Sequence, residues 1–271
     1  MTDRYAVIGN PIAQSKSPAI HAAFARQTGQ DLAYVALFCE MPDFEAMVHR
    51  FRDEGGSGLN VTVPFKHRAY ALADERSERA EQALAVNTLS FTGKRIAADN
   101  TDGIGLVRDL KSNLGVELAG TRILMMGAGG AAYGVCGPLL AEHPSALVIA
   151  NRTIDKAAAL RERLRTIGNV SAVSYEDLRG AQFDLIVNAT SAGLMEAKPP
   201  LPDGVFAAGA LAYEMVYGTR TPFMRFAEAA GARAYDGLGM LVEQAAESFY
   251  IWRGMRPETA PVIAQLRQNG C

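Results

Sequence analysis

Three polar side chains of different reach lie close together in the stretch 58–66. Asn60 and Thr62 alternate with leucine and valine, which is the period of a half-buried β-strand. Pro64 cannot donate to a sheet and suits the first turn of a helix, so the strand should end just before Lys66. An amide, a hydroxyl and an amine at one strand end predict a small-ligand site, because open α/β sheets bind ligands there. The alternative is a surface strand followed by a solvated lysine.

A glycine-rich turn in the middle of the chain predicts a dinucleotide-binding site. It follows an apolar strand at 122–126, precedes a helix at 131–140, and places alanine at the third position of the G-x-G-x-x-G/A pattern. The first glycine permits a tight turn, and the second lets the backbone approach a pyrophosphate. The residues predicted to bind the cofactor here are Gly127, Ala128, Gly129, Gly130 and Ala131.

The end of the next strand, 146–150, indicates which dinucleotide is bound. A site for NAD usually carries a carboxylate there to bind the ribose hydroxyls, whereas this chain has Asn151, Arg152 and Thr153. The guanidinium group of Arg152 can bind a 2′-phosphate with two donors, and the Thr153 hydroxyl can add a third. We therefore expect NADP; the alternative is that Arg152 is a solvated loop residue.

A bound nicotinamide nucleotide beside Lys66 would suit hydride transfer to or from a hydroxylated carbon. Oxidising an alcohol also requires loss of the hydroxyl proton, which a lysine can accept where desolvation favours its neutral form. Asp102, in a cluster of turn and cap residues before a helix, would favour the ammonium form instead. The residues leave open which of the two is the principal proton-transfer group. The alternative for Asp102 is a charge that stabilises a helix N-terminus.

Several other polar residues occupy positions from which they could reach a ligand. Ser15 and Ser17 lie between a strand and a helix, where two hydroxyls suit a small anion or a polyol, although Ser17 could equally be an N-cap. Asn87 falls in an alternating strand, and Tyr217 ends the predicted strand 210–217. For Tyr217 the alternative is packing. For Gln244, one amide in an apolar helix, the alternative is a solvated position.

Alternating strands and helices predict an α/β protein with helices on the faces of its sheets. Further strands are predicted at 5–9, 32–38, 86–91 and 183–187, the last ending in small residues, 188–193, that would let a nicotinamide ribose approach the backbone. Further helices are predicted at 18–28, 43–53, 66–73, 76–83, 104–114, 154–167, 236–253 and 257–268, with a polar loop at 196–202.

The composition is that of a globular protein without a strong overall charge. Hydrophobic residues make up 49% of 271, charged residues 21%, and the net charge is −2, so no global field favours nucleic acid or an anionic membrane. The cysteines at 39, 136 and 271 share no metal-ligand spacing and are expected to be free thiols in a reducing compartment. With no apparent signal peptide or membrane span, the expected location is the cytoplasm.

Taken together, the motifs resemble the bacterial shikimate dehydrogenases over nearly the whole chain. The segments that carry the resemblance are 9–12, 15–18, 60–66, 85–88, 99–103, 127–131, 151–153, 188–191 and 236–241. The resemblance implies reversible, NADP-dependent reduction of 3-dehydroshikimate to shikimate in aromatic amino-acid biosynthesis. We expect no metal, and the sequence leaves a monomer and a homodimer both open.

The resemblance also implies roles for individual residues. Lys66 and Asp102 would be the catalytic pair, and Tyr217 would lie close to the substrate. The substrate's hydroxyls and carboxylate would be bound by Ser15, Ser17, Thr62, Asn87 and Gln244. Residues beside the cofactor would include Thr190, Met215 and Gly237.

The implied architecture consists of two α/β domains. Residues 1–102 with 238–271 would form a substrate-binding sheet domain completed by the C-terminal helices, and residues 103–237 would form an inserted Rossmann-like NADP domain. Three positions depart from the family pattern: Gln14 for a common histidine, Tyr133 for a common arginine and Glu214 for the usual aspartate.

Three other functions remain open from the sequence. The first is a quinate/shikimate dehydrogenase with relaxed substrate choice or NAD use, which would need room near Ser15 and Ser17 for an extra hydroxyl. Another is a non-catalytic NADP-binding regulator, which would not need both Lys66 and Asp102. The third is an enzyme like methylenetetrahydrofolate dehydrogenase, against which the serine loop and Arg152 argue.

Overall fold

The structure, a computed structural model, describes residues 2–190 and 199–270. They divide into two compact units: Met1–Gly105 with Leu241–Gln265, and Leu106–Met240 with Leu266–Cys271. Each unit is built on its own sheet, so the predicted two-domain α/β class is confirmed. Residues 191–193, the first part of the loop predicted at 196–202 (196–198), and Cys271 lie outside the described residues.

The first unit contains a mixed sheet with strand order β2-β1-β3-β5-β6-β4. Its strands are β1 (Asp3–Gly9), β2 (Leu32–Phe38), β3 (Gly56–Val61), β4 (Glu75–Arg76), β5 (Thr88–Thr92) and β6 (Arg95–Asp99). The first three run parallel, and the β5–β6 hairpin adds antiparallel pairing. Gly93 closes that hairpin with a φ of 59°, which glycine adopts without steric cost.

The first unit also contains helices that connect or follow these strands. They are α1 (Ser17–Thr28), α2 (Phe44–Asp53), α3 (Lys66–Leu72), α4 (Glu78–Ala83), the start of α5 (Asp102–Arg108), and most of α9 (Leu238–Arg253) and of α10 (Ala260–Gln268). A 3₁₀ turn, Met41–Asp43, precedes α2. The core packs apolar sheet residues against helix residues, with the rings of Phe44 and Phe65 stacked 4.7 Å apart.

Several predicted helix boundaries were wrong; the helix predicted at 154–167 ends at Leu164, and the one predicted at 257–268 begins at Ala260. Helix α1 begins at Ser17 with Lys16 in the cap position, because the backbone of Lys16 is already helical; the Ser17 hydroxyl is therefore not the N-cap. The helix predicted at 104–114 begins at Asp102 and changes at Asp109–Asn113 into a π-helical turn. There the Leu114 N–H donates to the carbonyl of Asp109, five residues back.

The second unit contains an entirely parallel sheet with strand order β12-β11-β10-β7-β8-β9. Its strands are β7 (Arg122–Met126), β8 (Ala146–Ala150), β9 (Val170–Val173), β10 (Phe183–Asn188), β11 (Phe206–Glu214) and β12 (Arg233–Asp236). Its helices are α6 (Gly130–Ala141), α7 (Ile154–Leu164) and α8 (Pro222–Ala229), with a 3₁₀ turn at Glu176–Leu178. This strand order is that of dinucleotide-binding sheets. The chain adds β8 and β9 on one side of β7 and then β10, β11 and β12 on the other, so the switch point of the topology lies between β7 and β10.

The strands of the second unit are apolar on both faces because helices cover both sides of the sheet. On β7, Ile123 and Met125 pack into one hydrophobic cluster, whereas Leu124 and Met126 pack into another. Strand β11 starts earlier than predicted and ends at Glu214, so Tyr217 lies beyond it rather than at its tip. None of the helices in the described segments is both long and apolar enough to cross a membrane.

Candidate active site

Lys66 and Asp102 form a direct ion pair in the first unit. Lys66 is the first residue of α3, Asp102 is the first residue of α5, and Nζ lies 2.5 Å from Oδ2. The side chains are 28% and 11% exposed, respectively, so the pair is largely shielded while its lysine can still be reached from solvent. The structure thus brings together the two groups in which the sequence predicted proton-transfer chemistry.

The Asn87 side chain connects this pair to a second amide. Asn87 Nδ2 lies 2.9 Å from Asp102 Oδ1, 2.9 Å from Thr101 Oγ1 and 3.2 Å from Gln244 Oε1. Its Oδ1 accepts from the Thr101 N–H at 2.9 Å. Since an amide nitrogen carries two hydrogens and three acceptors surround it, one contact can be exchanged for a ligand oxygen without leaving a donor unpaired.

Asn60 lies deeper than the sequence suggested, at 7% exposure. Its Oδ1 accepts from Tyr34 Oη at 2.7 Å, while its Nδ2 faces the Asn87 carbonyl at 3.1 Å and Ser248 Oγ at 3.0 Å. Protein groups therefore satisfy the amide in this structure. These contacts hold β3 against the segment that carries Asn87.

A buried hydroxyl on α9, Ser248, was missed in the sequence. Ser248 Oγ lies 2.8 Å from Thr88 Oγ1, 3.3 Å from Thr101 Oγ1 and 3.1 Å from the carbonyl of Gln244. The sequence held a signal, because Ser248 follows Gln244 by four residues and therefore lies on the same helix face. Its partners are distant in the chain, so periodicity alone did not reveal them.

The remaining predicted substrate residues of the first unit lie at the ends of β1 and β3 and the start of α1. The Ser17 N–H donates to Ser15 Oγ at 3.3 Å, and Ser17 is almost completely buried, whereas Ser15 is half-buried. The Thr62 N–H donates to the carbonyl of Ile8 at 3.0 Å. A Cβ on Gly9 would lie 2.4 Å from Thr62 Cγ2, so only glycine permits this close approach.

The glycine loop of the second unit begins with a positive φ at Gly127 and leads directly into the N-terminus of α6. Gly127 has a φ of 99°, and its N–H donates to the carbonyl of Ala150 at 2.8 Å. Helix α6 begins at Gly130 with no side-chain cap, and a Cβ on Gly129 would meet open space. The unpaired N–H groups of the first turn can therefore bind an anion, so the residues present fit a dinucleotide phosphate.

The end of β8 presents the residues predicted to select NADP. Arg152 and Thr153 are exposed, and Asn151 Nδ2 donates to the carbonyl of Thr153 at 2.8 Å. Tyr175 lies near Arg152; burial raises the pKa of the Tyr175 hydroxyl to about 12, and the guanidinium of Arg152 opposes that shift. The cation of Arg152 is available to an anion in solution.

Other predicted cofactor residues meet at the ends of β11 and β12. A Cβ on Gly237 would lie 2.3 Å from the Met215 carbonyl oxygen, and the Gly237 N–H donates to the carbonyl of Val216 at 3.1 Å. Tyr217, predicted near the substrate, directly follows Val216 in the second unit. In the described parts of the chain, no group of three or more His, Cys, Asp or Glu side chains is arranged to hold a metal ion.

Three protein-family models match the chain. Residues 7–89 match the shikimate dehydrogenase substrate binding domain, 109–196 match shikimate / quinate 5-dehydrogenase, and 237–267 match the shikimate 5′-dehydrogenase C-terminal domain. The chain belongs to the shikimate dehydrogenase family. The family models also agree with the two-domain organisation seen in the fold.

Individual relatives match this family member over almost its whole length. A curated protein of Nitrosospira multiformis named shikimate dehydrogenase (NADP(+)) is 58% identical over 99% of this chain and 98% of its own. Among solved structures, an Ael1 enzyme from Pseudomonas putida is 53% identical, with a TM-score of 0.93 over 98% of both chains. Shikimate 5-dehydrogenase from Thermus thermophilus in complex with NADP(H) and shikimate is 33% identical, with a TM-score of 0.88 over 98% of this chain and 99% of that one.

Proposed function

We propose that this protein is an NADP-dependent shikimate dehydrogenase that interconverts 3-dehydroshikimate and shikimate in aromatic amino-acid biosynthesis. The observation that carries the proposal is the Lys66–Asp102 ion pair, in which Asp102 also accepts a hydrogen bond from the Asn87 amide. It lies in a unit whose residues 7–89 match a substrate binding domain. Relatives named for this activity at 58% identity over nearly the full chain support the same conclusion.

In this function Lys66 exchanges a proton with the substrate oxygen that is a ketone in 3-dehydroshikimate and a hydroxyl in shikimate. When the ketone is reduced, the Lys66 ammonium donates a hydrogen bond and then a proton to the oxygen; when the alcohol is oxidised, the amine receives that proton. Asp102, at 2.5 Å, orients the amine and stabilises its charged form. A charged donor aimed at the developing alkoxide lowers the energy of the transition state more than that of the ground state.

The other polar groups of the first unit hold the substrate ring. The substrate's hydroxyls and carboxylate are bound jointly by Ser15, Ser17, Thr62, Asn87 and Gln244. Gln244 Nε2 donates to the carbonyl of Leu241 at 2.8 Å, which leaves one of its two N–H groups for a substrate oxygen.

The second unit holds the dinucleotide. The first turn of α6, after the glycine loop 127–131, binds the pyrophosphate, and Asn151, Arg152 and Thr153 bind the adenosine 2′-phosphate. Thr190, Met215 and Gly237 border the nicotinamide nucleotide. When bound, NADP supplies the hydride acceptor in oxidation, and NADPH supplies the donor in reduction.

The family and its chemistry also suggest where and how the protein works. We place it in the cytoplasm, as a monomer or a homodimer acting on a small anionic substrate, with no role for nucleic acid or membrane. Cys39 and Cys136 are buried free thiols, which suits a reducing compartment.

The proposed function is tested by offering the purified protein shikimate or quinate with NADP or NAD and following nicotinamide reduction. We expect rapid turnover with shikimate and NADP and much slower turnover with the other three pairs. Quinate oxidation at a comparable rate would favour the second candidate, a dehydrogenase that accepts both quinate and shikimate. The match of residues 109–196 to a shikimate / quinate 5-dehydrogenase model supports considering this candidate. Absence of turnover with all four pairs would contradict both and would favour a binding regulator.

A further inference from the structure

Glu214 is a buried carboxylate that the proposed mechanism does not use. It ends β11 with no exposed surface, at a position where the family resemblance implies aspartate. Its Oε2 accepts from Asn188 Nδ2 at 2.8 Å and from Thr221 Oγ1 at 2.9 Å, and its Oε1 accepts from the Val216 N–H at 3.3 Å. Burial raises the pKa of the Glu214 carboxyl, while these donors oppose the rise.

The carboxylate determines which way the Asn188 amide points. Because a carboxylate only accepts, the Asn188 amide nitrogen must face Glu214, which turns its oxygen to the opposite side. There Asn188 Oδ1 accepts from the Thr190 N–H at 3.1 Å and from Thr190 Oγ1 at 2.7 Å. A flipped amide would set acceptor against acceptor at Glu214 and donor against donor at the Thr190 N–H, so Glu214 fixes the position of Thr190 through Asn188.

Thr190 in turn lies against the start of the glycine loop. A Cβ added to Gly127 would be 3.0 Å from Thr190 Cγ2 and 3.3 Å from the Ala189 carbonyl. The contact occurs where Gly127 takes its positive φ of 99°. A displacement of Thr190 would therefore change the space available to the turn that leads into α6.

We propose that Glu214 is a positioning residue for the dinucleotide, acting through Asn188 and Thr190 on the glycine loop. This inference rests on the proposed NADP-dependent function, since it states how the site for that cofactor is held in shape. It assigns Glu214 no contact with the cofactor. It also explains why an ionisable group is kept inside the unit: a carboxylate accepts from three donors on both of its oxygens, which an amide in its place cannot do.

We call the chain of contacts Glu214–Asn188–Thr190 the relay. Its polarity can be reversed by exchanging the carboxylate at position 214 with the amide at position 188. In Glu214→Gln the new amide nitrogen faces either Asn188 or the Val216 N–H, so one donor always meets another. In Asn188→Asp two carboxylates face each other across 2.8 Å. In the double variant, the amide introduced at position 214 donates to the carboxylate introduced at position 188, and that carboxylate still accepts from Thr190, so the relay is restored with reversed polarity. Glu214→Asp keeps the acceptor and is the conservative variant.

The test measures NADPH binding by fluorescence titration of the full-length wild type and variants, with Michaelis constants for shikimate as a second readout. We expect Asn188→Asp and Glu214→Gln each to weaken NADPH binding about tenfold, since an unsatisfied buried donor or charge has a cost of that size. The double variant and Glu214→Asp should bind within about threefold of wild type. The Michaelis constant for shikimate should not change, because the substrate groups lie in the first unit. Leu164→Ala, which removes buried volume from α7 away from the relay, controls for general loss of stability.

Wild-type affinity in both single variants, or a double variant as weak as the worse single one, would overturn the proposal. So would an equal loss of NADPH affinity in Leu164→Ala. If one single variant fails to fold, the comparison of the other with the double variant decides; if both fail, Glu214→Asp decides, and a loss of binding there as large as tenfold overturns it. A wild-type protein that does not bind NADPH would count against the proposed function itself, not against the relay.

Discussion

Asp102 binds Lys66 with one carboxylate oxygen and Asn87 with the other, at 2.5 Å and 2.9 Å. A single carboxylate therefore fixes both the amine proposed to move a proton and an amide proposed to bind a substrate hydroxyl. The backbone supports it, because the Asp102 N–H donates to Asn100 Oδ1 at 3.1 Å. This arrangement predicts that changes at Asp102 affect catalysis and substrate binding together.

Asp102→Asn should lower turnover by about 10²-fold or more, because the neutral amide no longer holds the charged amine of Lys66 in place. The Michaelis constant for shikimate should also rise, whereas that for NADP should stay within about threefold. Steady-state kinetics with each substrate varied in turn measures this. Asp53→Asn, at an exposed carboxylate that pairs with Arg52, is the matched control. A variant with normal turnover would remove Asp102 from the catalytic pair.

Arg152→Ala should raise the Michaelis constant for NADP about tenfold or more and leave that for NAD nearly unchanged, since only NADP carries the 2′-phosphate. The preference for NADP over NAD should narrow accordingly. Arg161→Ala, which removes an exposed arginine from α7, should change neither constant. If the NADP/NAD ratio of Arg152→Ala equals that of the wild type, Arg152 does not bind the phosphate.

Ser248→Ala should destabilise the first unit by about 1–3 kcal/mol, because it leaves the buried Asn60 amide and the Thr88 hydroxyl one partner short. It should also raise the Michaelis constant for shikimate more than that for NADP, since the displaced groups support Asn87. Urea unfolding and steady-state kinetics measure the two effects. Unchanged stability together with unchanged shikimate kinetics would show that the hydroxyl cluster does not support the site.

His21 gives the folded protein a specific sensitivity to acid. It is fully buried, its ring stacks on Tyr34 at 4.1 Å, and in the described part of the chain neither ring nitrogen has a hydrogen-bond partner. Burial lowers the pKa of His21 to about 3, although the Asn60 side chain opposes the shift. The unfolded chain therefore binds a proton that the native state excludes. The stability contributed by neutral His21 is present above about pH 6.5 and is lost as the pH falls towards 3.

The free energy of unfolding should therefore fall by about 2 kcal/mol between about pH 7.5 and pH 5 on account of His21. His21→Phe keeps a ring against Tyr34 but cannot take up a proton, so it should lose that part of the pH dependence. Urea unfolding of both proteins at the two pH values measures the difference. Equal losses in wild type and variant would mean that another group is responsible.

The reactive residues could be predicted because each lies at a boundary that the sequence marks. Pro64 stops a strand just before Lys66, and cap residues precede Asp102, so local pattern was enough to place both at element ends. The same holds for the glycine loop, where a strand, a turn at Gly127 and a helix follow one another directly.

What the sequence did not reveal depends on contacts between distant residues. Asn60 alternates with apolar neighbours like any ligand-facing residue, yet its amide is satisfied by Tyr34 and Ser248, 26 and 188 positions away. The π-helical turn after α5 has no local signature; it contains Asp109, which accepts from the buried Tyr213 hydroxyl at 2.5 Å, 104 positions away. The partners of Asn60 and the contact of Asp109 with Tyr213 therefore depend on how distant segments pack in the folded unit.

The most direct test of the account compares the wild type with Lys66→Ala in the oxidation of shikimate by NADP, with NADPH binding measured alongside. Lys94→Ala, which removes an exposed lysine from the β5–β6 turn, is the matched control. We predict rapid turnover by the wild type and the control, and a loss of about 10²-fold or more in Lys66→Ala with NADPH affinity unchanged. Near-normal turnover by Lys66→Ala, or a wild type that does not oxidise shikimate with NADP, would contradict the account.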